Sequence, residues 1–423
     1  MPLKYDDLNM NEKKLLNKNI LAIAVCWLVY TCSYLGKLGY NANIILIERE
    51  FGVAHAESGS VGTAFFFAYG AGQIINGLLC KKYNVKHTIF FALIVSAVCN
   101  FTLTVITDFA WLKIVWLVNG AALSFLWSLL IRFLSETLDS KYTSKAVVIM
   151  GTTVAAGTFA VYGLSALFAA ISVYKAIFYL AAVLLPTIAI IWFLSFKSIS
   201  QTQNKEPSEN TPIVDGETAK KKADFGFVTL IIVMAIFAIV TNVEKDGITV
   251  WIPTILKELY DMPDYLSILL TLFLPLIAVF GTAVAVYFNK YIKNFISLCG
   301  LFFLVTTLAL VVNVLFLKSS AAVMLICLSI ISLLMSGTNN IITGMLPLYY
   351  KDKANAGLLA GVLNGCCYVG STLSSYVLGL IADNYGWEVV FYILIACAAI
   401  CSIIAIIAHF IKGNNGKTVR VRS

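Results

Sequence analysis

Charge is what this chain has least of. Only 12% of its 423 residues are Asp, Glu, Lys or Arg, whereas 60% are hydrophobic. A soluble domain carries about 25% charged residues, and this chain has too little polar surface to fold in water. Histidine is also scarce: His55, His87 and His409 are scattered and form no ligand cluster. The ten cysteines all fall in or at the edges of apolar runs, none of them in an outward loop, so neither a disulfide framework nor a metal site is expected. No GxxxxGK[ST] loop is present to cradle phosphates, which excludes direct nucleotide hydrolysis. With neither a nucleophile–base pair nor a metal cluster, an enzyme is not expected, and no cofactor is called for.

What is abundant is apolar length. Twelve runs, the first at 20–46 and the last at 388–411, are each long enough to cross ~30 Å of hydrocarbon. The fold class expected is therefore all-α: a polytopic membrane protein of twelve transmembrane helices. The first run follows a polar start without a small-residue cleavage site and reads as a retained helix. Between the sixth and seventh runs the sequence turns polar, with prolines and a Lys triplet at 220–222. This divides the chain into a six-helix half at 1–195, a flexible linker at 196–225 and a second half with a short tail at 226–423.

The net charge of +8 is topological. Of 30 Lys and Arg, Arg49, Lys113, Lys175, Lys257 and Lys318 fall in loops on one side, Lys37, Arg132 and Lys245 lie within runs, and the rest fall on the side of the termini. By the positive-inside rule both termini and the linker are cytoplasmic. The bilayer is the expected partner and nucleic acid is not; a monomer in the plasma (inner) membrane is expected.

The stretch YTCSYLGKLGY at 30–40 carries the chemistry. At ~100° per residue, Tyr30, Tyr34, Lys37 and Asn41 share one helix face. An ammonium at that depth costs ~3 kcal/mol or more unless it faces a cavity or partner. Lys37 is also ~15 Å from the nearest polar segment, too far to snorkel with ease. Lys245 occupies the matching place in the seventh run, flanked by Glu244 and Asp246. Matching charges in two halves point to a transporter site near the midplane. Neighbouring helix residues diverge by ~100°, so one carboxylate is expected to neutralise Lys245 while the other faces solvent or carries a proton.

Asn339, Asn340, Asn364 and Tyr368 are further candidate pocket groups. Trp127 and Arg132 are candidates at the inner mouth, although Arg132 also reads as an i, i+4 partner of Glu136. The second run is dense in Gly59, Gly62, Gly70, Gly72 and Gly77, as close helix packing or a sliding gate requires.

These features together resemble the major facilitator superfamily, and within it the organophosphate:phosphate antiporters, the glycerol-3-phosphate and hexose-phosphate transporters. The resemblance rests on the YxxxYLxK segment (Tyr30, Tyr34, Lys37), AYG at 68–70, Trp127 with Arg132, GxxxWxPTxLKE (Gly247, Trp251 to Glu258), AGxxxGxxNGxxYxGS from Ala356 and DNYGW from Asp383. It implies two rocking six-helix bundles, with an organic phosphate or sugar phosphate held between them. It also implies that Lys37 and Lys245 stand where those transporters place arginines, which replaces a bidentate fork with point charges. The family's second-helix lysine corresponds to Gln73 and its fifth-helix histidine to Val154, and the acidic loop signature gives way to Lys81 and Lys82. Three functions are open: transport of a small anion by phosphate exchange or proton coupling, proton-coupled efflux of hydrophobic compounds, and a transport-derived solute sensor.

Overall fold

The structure, a computed structural model, describes residues 10–79, 82–138, 140–200, 225–350, 354 and 356–414. Most of the expected linker, and the Lys triplet within it, lie outside these residues. The helices are α1 (Met10–Ala42), α2 (His55–Leu79), α3 (Val85–Val105), α4 (Ala110–Thr137), α5 (Ser140–Ala170) and α6 (Ala176–Ser200). The second half adds α7 (Gly226–Tyr260), α8 (Asp264–Asn289), α9 (Phe295–Phe316), α10 (Ala321–Tyr349), α11 (Ala356–Tyr385) and α12 (Trp387–Asn414). Eleven of these are long and apolar enough to cross a membrane. The remaining one, α2, is a 25-residue helix whose five glycines, Gln73 and Asn76 dilute its apolar content. The sixth helix runs to Ser200, five residues past the expected boundary at 195. There Phe196 packs on Phe133 and Trp192, and Ile199 is fully buried.

Packing repeats with an offset of six helices. In the first half α1 packs on α5, α2 on α4 and α3 on α6; in the second α7 packs on α11, α8 on α10 and α9 on α12. The halves meet where α2 lies along α11 and α5 along α8, again a symmetric exchange. Outward faces of α3, α6, α9 and α12 expose Val98, Leu194, Leu315 and Ile403, side chains that only lipid solvates at low cost.

Breaks in the helices position the centre. At the end of α1, Asn43 turns its amide back onto the Gly39 carbonyl (2.9 Å) and across to the Ser165 hydroxyl (2.9 Å), competing with the helical ladder. A short helix, Ile44–Phe51, then sets off in a new direction. Within α7 and α10, five-residue π-turns at Val243–Gly247 and Ile341–Met345 each shift the register by one residue. Such insertions concentrate at functional sites. The first carries Glu244, Lys245 and Asp246.

Candidate functional site

A cavity of about 490 Å³ lies between the halves. It is lined from α1 (Tyr34, Lys37, Asn41), α5 (Thr158, Tyr162), α7 (Asn242, Lys245, Asp246), α10 (Asn339) and α11 (Asn364, Tyr368). Its volume suits a small organic molecule. The Asp, Glu, Lys and Arg side chains in this wall are Lys37, Lys245 and Asp246, a net charge of +1.

The two lysines differ. The Lys245 ammonium lies 3.3 Å from Asp246 Oδ1, and the Ser371 hydroxyl of α11 donates to Asp246 Oδ2 at 2.6 Å. Among the described residues no carboxylate pairs with Lys37. Its Nζ instead stands 4.2 Å from the Tyr69 ring centroid and 5.6 Å from that of Tyr34, a cation–π cradle. The Tyr69 ring packs 5.3 Å from Tyr368, joining α2 to α11 beside the lysine. In sequence Tyr69 appears only as the centre of the AYG segment of the resemblance, because FFFAYG otherwise reads as an ordinary apolar run and gives no sign of the contact with Lys37.

Several expected site residues lie elsewhere. Tyr30 is buried behind Tyr34 (ring centroids 5.7 Å apart) and Trp127 packs behind Tyr30 at 4.9 Å, so both support the cavity wall without lining it. Arg132 lies outside the cavity. Its Nε donates to Glu136 at 2.7 Å and its Nη1 to the Tyr83 carbonyl at 3.3 Å, the i, i+4 reading with a loop contact added. Asn340 is not in the lining; its neighbour Asn339 is, accepting from the Cys367 thiol at 3.2 Å. Val154 does line the cavity, and Gln73 does not. The acidic pair also splits. Asp246 faces the cavity, while Glu244 is 1% exposed, lies near Cys397 and Cys401 of α12, and has no partner for either carboxylate oxygen among the described residues.

Among the described residues, contacts that shut the cavity are found at one end. At the face away from the termini, hereafter the distal face, Arg49 grips Asp264 with two hydrogen bonds of 2.8 and 3.0 Å. Asp383 of α11 accepts from the first two backbone N–H groups of α2, those of His55 (3.0 Å) and Ala56 (2.7 Å), capping a helix of the other half. Trp387 Nε1 donates to Glu258 at 2.7 Å, and Thr63 donates to the Thr372 carbonyl at 2.7 Å. A Cβ on Gly59 would lie 2.0 Å from the Ser375 carbonyl oxygen, so only glycine permits this approach. Thus the DNYGW and GxxxWxPTxLKE segments build the closure. At the terminal face Leu78, Val148 and Leu358 are exposed, and a Cβ on Gly77, Gly151 or Gly361 would meet nothing within 4 Å.

Twelve membrane helices in two equivalent sixes, with a polar cavity between them shut at one face, define a membrane carrier of the alternating-access kind. The sequence profile of the Major Facilitator Superfamily matches residues 26–313. The chain belongs to that superfamily of membrane transporters. Among solved structures, it resembles a bacterial homologue of the human lysosomal transporter Spinster in its inward-facing, unoccupied conformation (TM-score 0.75, 13% identity, covering 92% of this chain and 97% of that one). The occupied form of that protein gives a TM-score of 0.72 at 12% identity, covering 92% and 96%. The nucleoside transporter NupG gives 0.68 at 16%, covering 92% and 98%. No curated protein matches the sequence. These likenesses establish the fold and leave the substrate to the cavity.

Proposed function

We propose that this protein is a secondary transporter of a small organic anion, working by alternating access, with organic or sugar phosphates the leading class. One observation carries the reading: Lys37 is an ammonium in the cavity wall that no carboxylate among the described residues pairs with, backed by the faces of Tyr69 and Tyr34. An anion entering the cavity relieves the cost of holding that charge inside a bilayer. Lys245 is already offset by Asp246, so it serves as a second, weaker anchor. Hydrogen-bonding groups on Asn41, Thr158, Asn339 and Asn364 suit a hydroxyl-bearing body. A lipophilic cation meets a net positive cavity, which disfavours the efflux reading.

The Lys and Arg distribution supports a cytoplasmic terminal face, and the reading takes the membrane to be the plasma membrane. The state described is then inward-facing, and the halves at 1–195 and 226–423 are the bodies that rock, tethered by the 196–225 segment. Asp246 is the coupling candidate that faces substrate, and Glu244 faces away. The test is a thermal-shift panel on the purified protein with sugar phosphates, inorganic phosphate, carboxylates and lipophilic cations, because ligand bound to the native state raises Tm by mass action. A shift with phosphate esters that is lost in Lys37→Ala supports the reading. A shift with lipophilic cations alone refutes it.

A further inference from the structure

His55 begins α2 at the distal rim, ahead of the apolar run, and both of its ring nitrogens face carboxylates. Nδ1 is 3.2 Å from Glu48 Oε2, within its own half, and Nε2 is 3.0 Å from Glu258 Oε1, across the halves. A neutral imidazole has one N–H and one lone pair, so one of these contacts would set a lone pair against a carboxylate oxygen. Only the imidazolium donates to both. Glu48 is itself buried, and among the described residues its carboxylate otherwise accepts only from the Ser58 hydroxyl. A buried carboxylate stripped of its cation is costly.

The other groups around His55 fit a cation. Trp251 of α7 and Trp387 of α12 flank the ring at 5.6 and 5.5 Å between centroids and leave the His55 side chain 18% and that of Glu258 42% exposed. Asp383 of α11 takes the His55 backbone N–H. Trp387 holds the second oxygen of Glu258, aiming the first at the imidazole. Glu57 adds a further negative charge on the same helix, and Arg49 of the neighbouring short helix is committed to Asp264. Burial by itself lowers the affinity of His55 for a proton, but its bonds to Glu258 and Glu48 outweigh that and place its pKa at about 10.

We propose that His55 is a proton-binding site of the transport cycle, occupied while the distal face is closed and emptied when that face opens. The proposal rests on the alternating-access reading. Opening separates α2 from α7 and takes Glu258 away from Nε2, leaving an imidazole with one partner and access to the distal medium. There its proton affinity falls, while Glu48, which stays on Nδ1, still holds it above the ordinary value near 6.5. The sign follows. Closure is stabilised fully below that open-state value and loses the stabilisation as pH rises from it toward about 10. Between those limits closing takes up one proton, so the closed-to-open ratio falls about tenfold per pH unit.

The experiment measures the distance between spin labels at Thr107→Cys and Ser319→Cys, exposed distal-loop positions in opposite halves, with the full chain in lipid nanodiscs and its native cysteines replaced. The wild-type distance should shift from short to long as pH is raised from 6 to 10. His55→Gln should abolish that dependence, and His55→Arg, which keeps a charge able to meet both carboxylates, should stay closed at every pH. A wild type insensitive to pH, or a His55→Gln variant that keeps the wild-type profile, overturns the proposal. Insensitivity to pH with widening on addition of a phosphate ester leaves alternating access standing without this site. A distance that never widens removes both.

Discussion

Lys37 and Tyr69 meet as ammonium on ring, 4.2 Å apart, one on each of two helices that share no local sequence motif. The contact explains how a lysine without a carboxylate persists in a membrane span. A ring face supplies part of the solvation that water would give, and a cation–π contact of this kind is worth ~0.5–2 kcal/mol. It leaves the charge free for a ligand, which a salt bridge would not.

Lys37→Ala should therefore weaken binding of the best ligand by at least about tenfold, a charged hydrogen bond being worth ~1.5–3 kcal/mol. Lys37→Arg should retain binding and favour phosphate esters through its fork. Tyr69→Phe should be nearly silent, whereas Tyr69→Leu should lower affinity a few-fold. Calorimetric titration of the purified variants checks all three.

The acidic neighbours of Lys245 should separate cleanly. Asp246→Asn removes the charge offsetting Lys245, so it should tighten binding of doubly charged anions and change the pH dependence of uptake. Glu244→Met should leave affinity within about twofold and raise Tm by a few degrees, because replacing a buried unpaired carboxylate by an apolar side chain removes a desolvation cost of ~1 kcal/mol or more. Loss of pH-dependent uptake in the Glu244 variant alone would reverse these assignments.

Closure of the distal face should depend on close packing more than on its surface ion pair. Gly59→Ala puts a methyl group 2.0 Å from the Ser375 carbonyl oxygen, where backbone cannot yield, and should hold the distal face open. Arg49→Ala removes a half-exposed pair worth ~1 kcal/mol at most and should shift the equilibrium less than about fivefold. The distal-loop spin-label distance reports both.

Much of this was readable in the sequence because the bilayer imposes it. Apolar length announces the helices, and a lysine at bilayer depth announces Lys37 and Lys245 whatever the packing. Periodicity also placed Tyr34, Lys37 and Asn41 on one face, and all three line the cavity. What stayed hidden depends on which helices cross. Tyr69 matters only because α2 passes α1 at Lys37, and His55 only because residues 48 and 258 converge on it. Of the candidate pair Asn339 and Asn340, which of the two lines the cavity was not legible; it is Asn339, just before a π-turn. For Glu244 and Asp246 the divergence was legible and its sense was not, since the rotation of α7 about its axis is set by α11.

The central claim, that Lys37 binds an anion carried between the two faces, is tested most directly by counterflow in proteoliposomes. Vesicles loaded with a phosphate ester that shifts Tm are diluted into the same compound carrying a radiolabel. Wild-type protein should accumulate label transiently, Lys37→Arg should do so too, and Lys37→Ala should give the signal of empty vesicles while remaining folded by its melting curve. Exchange by Lys37→Ala at the wild-type rate would contradict the account.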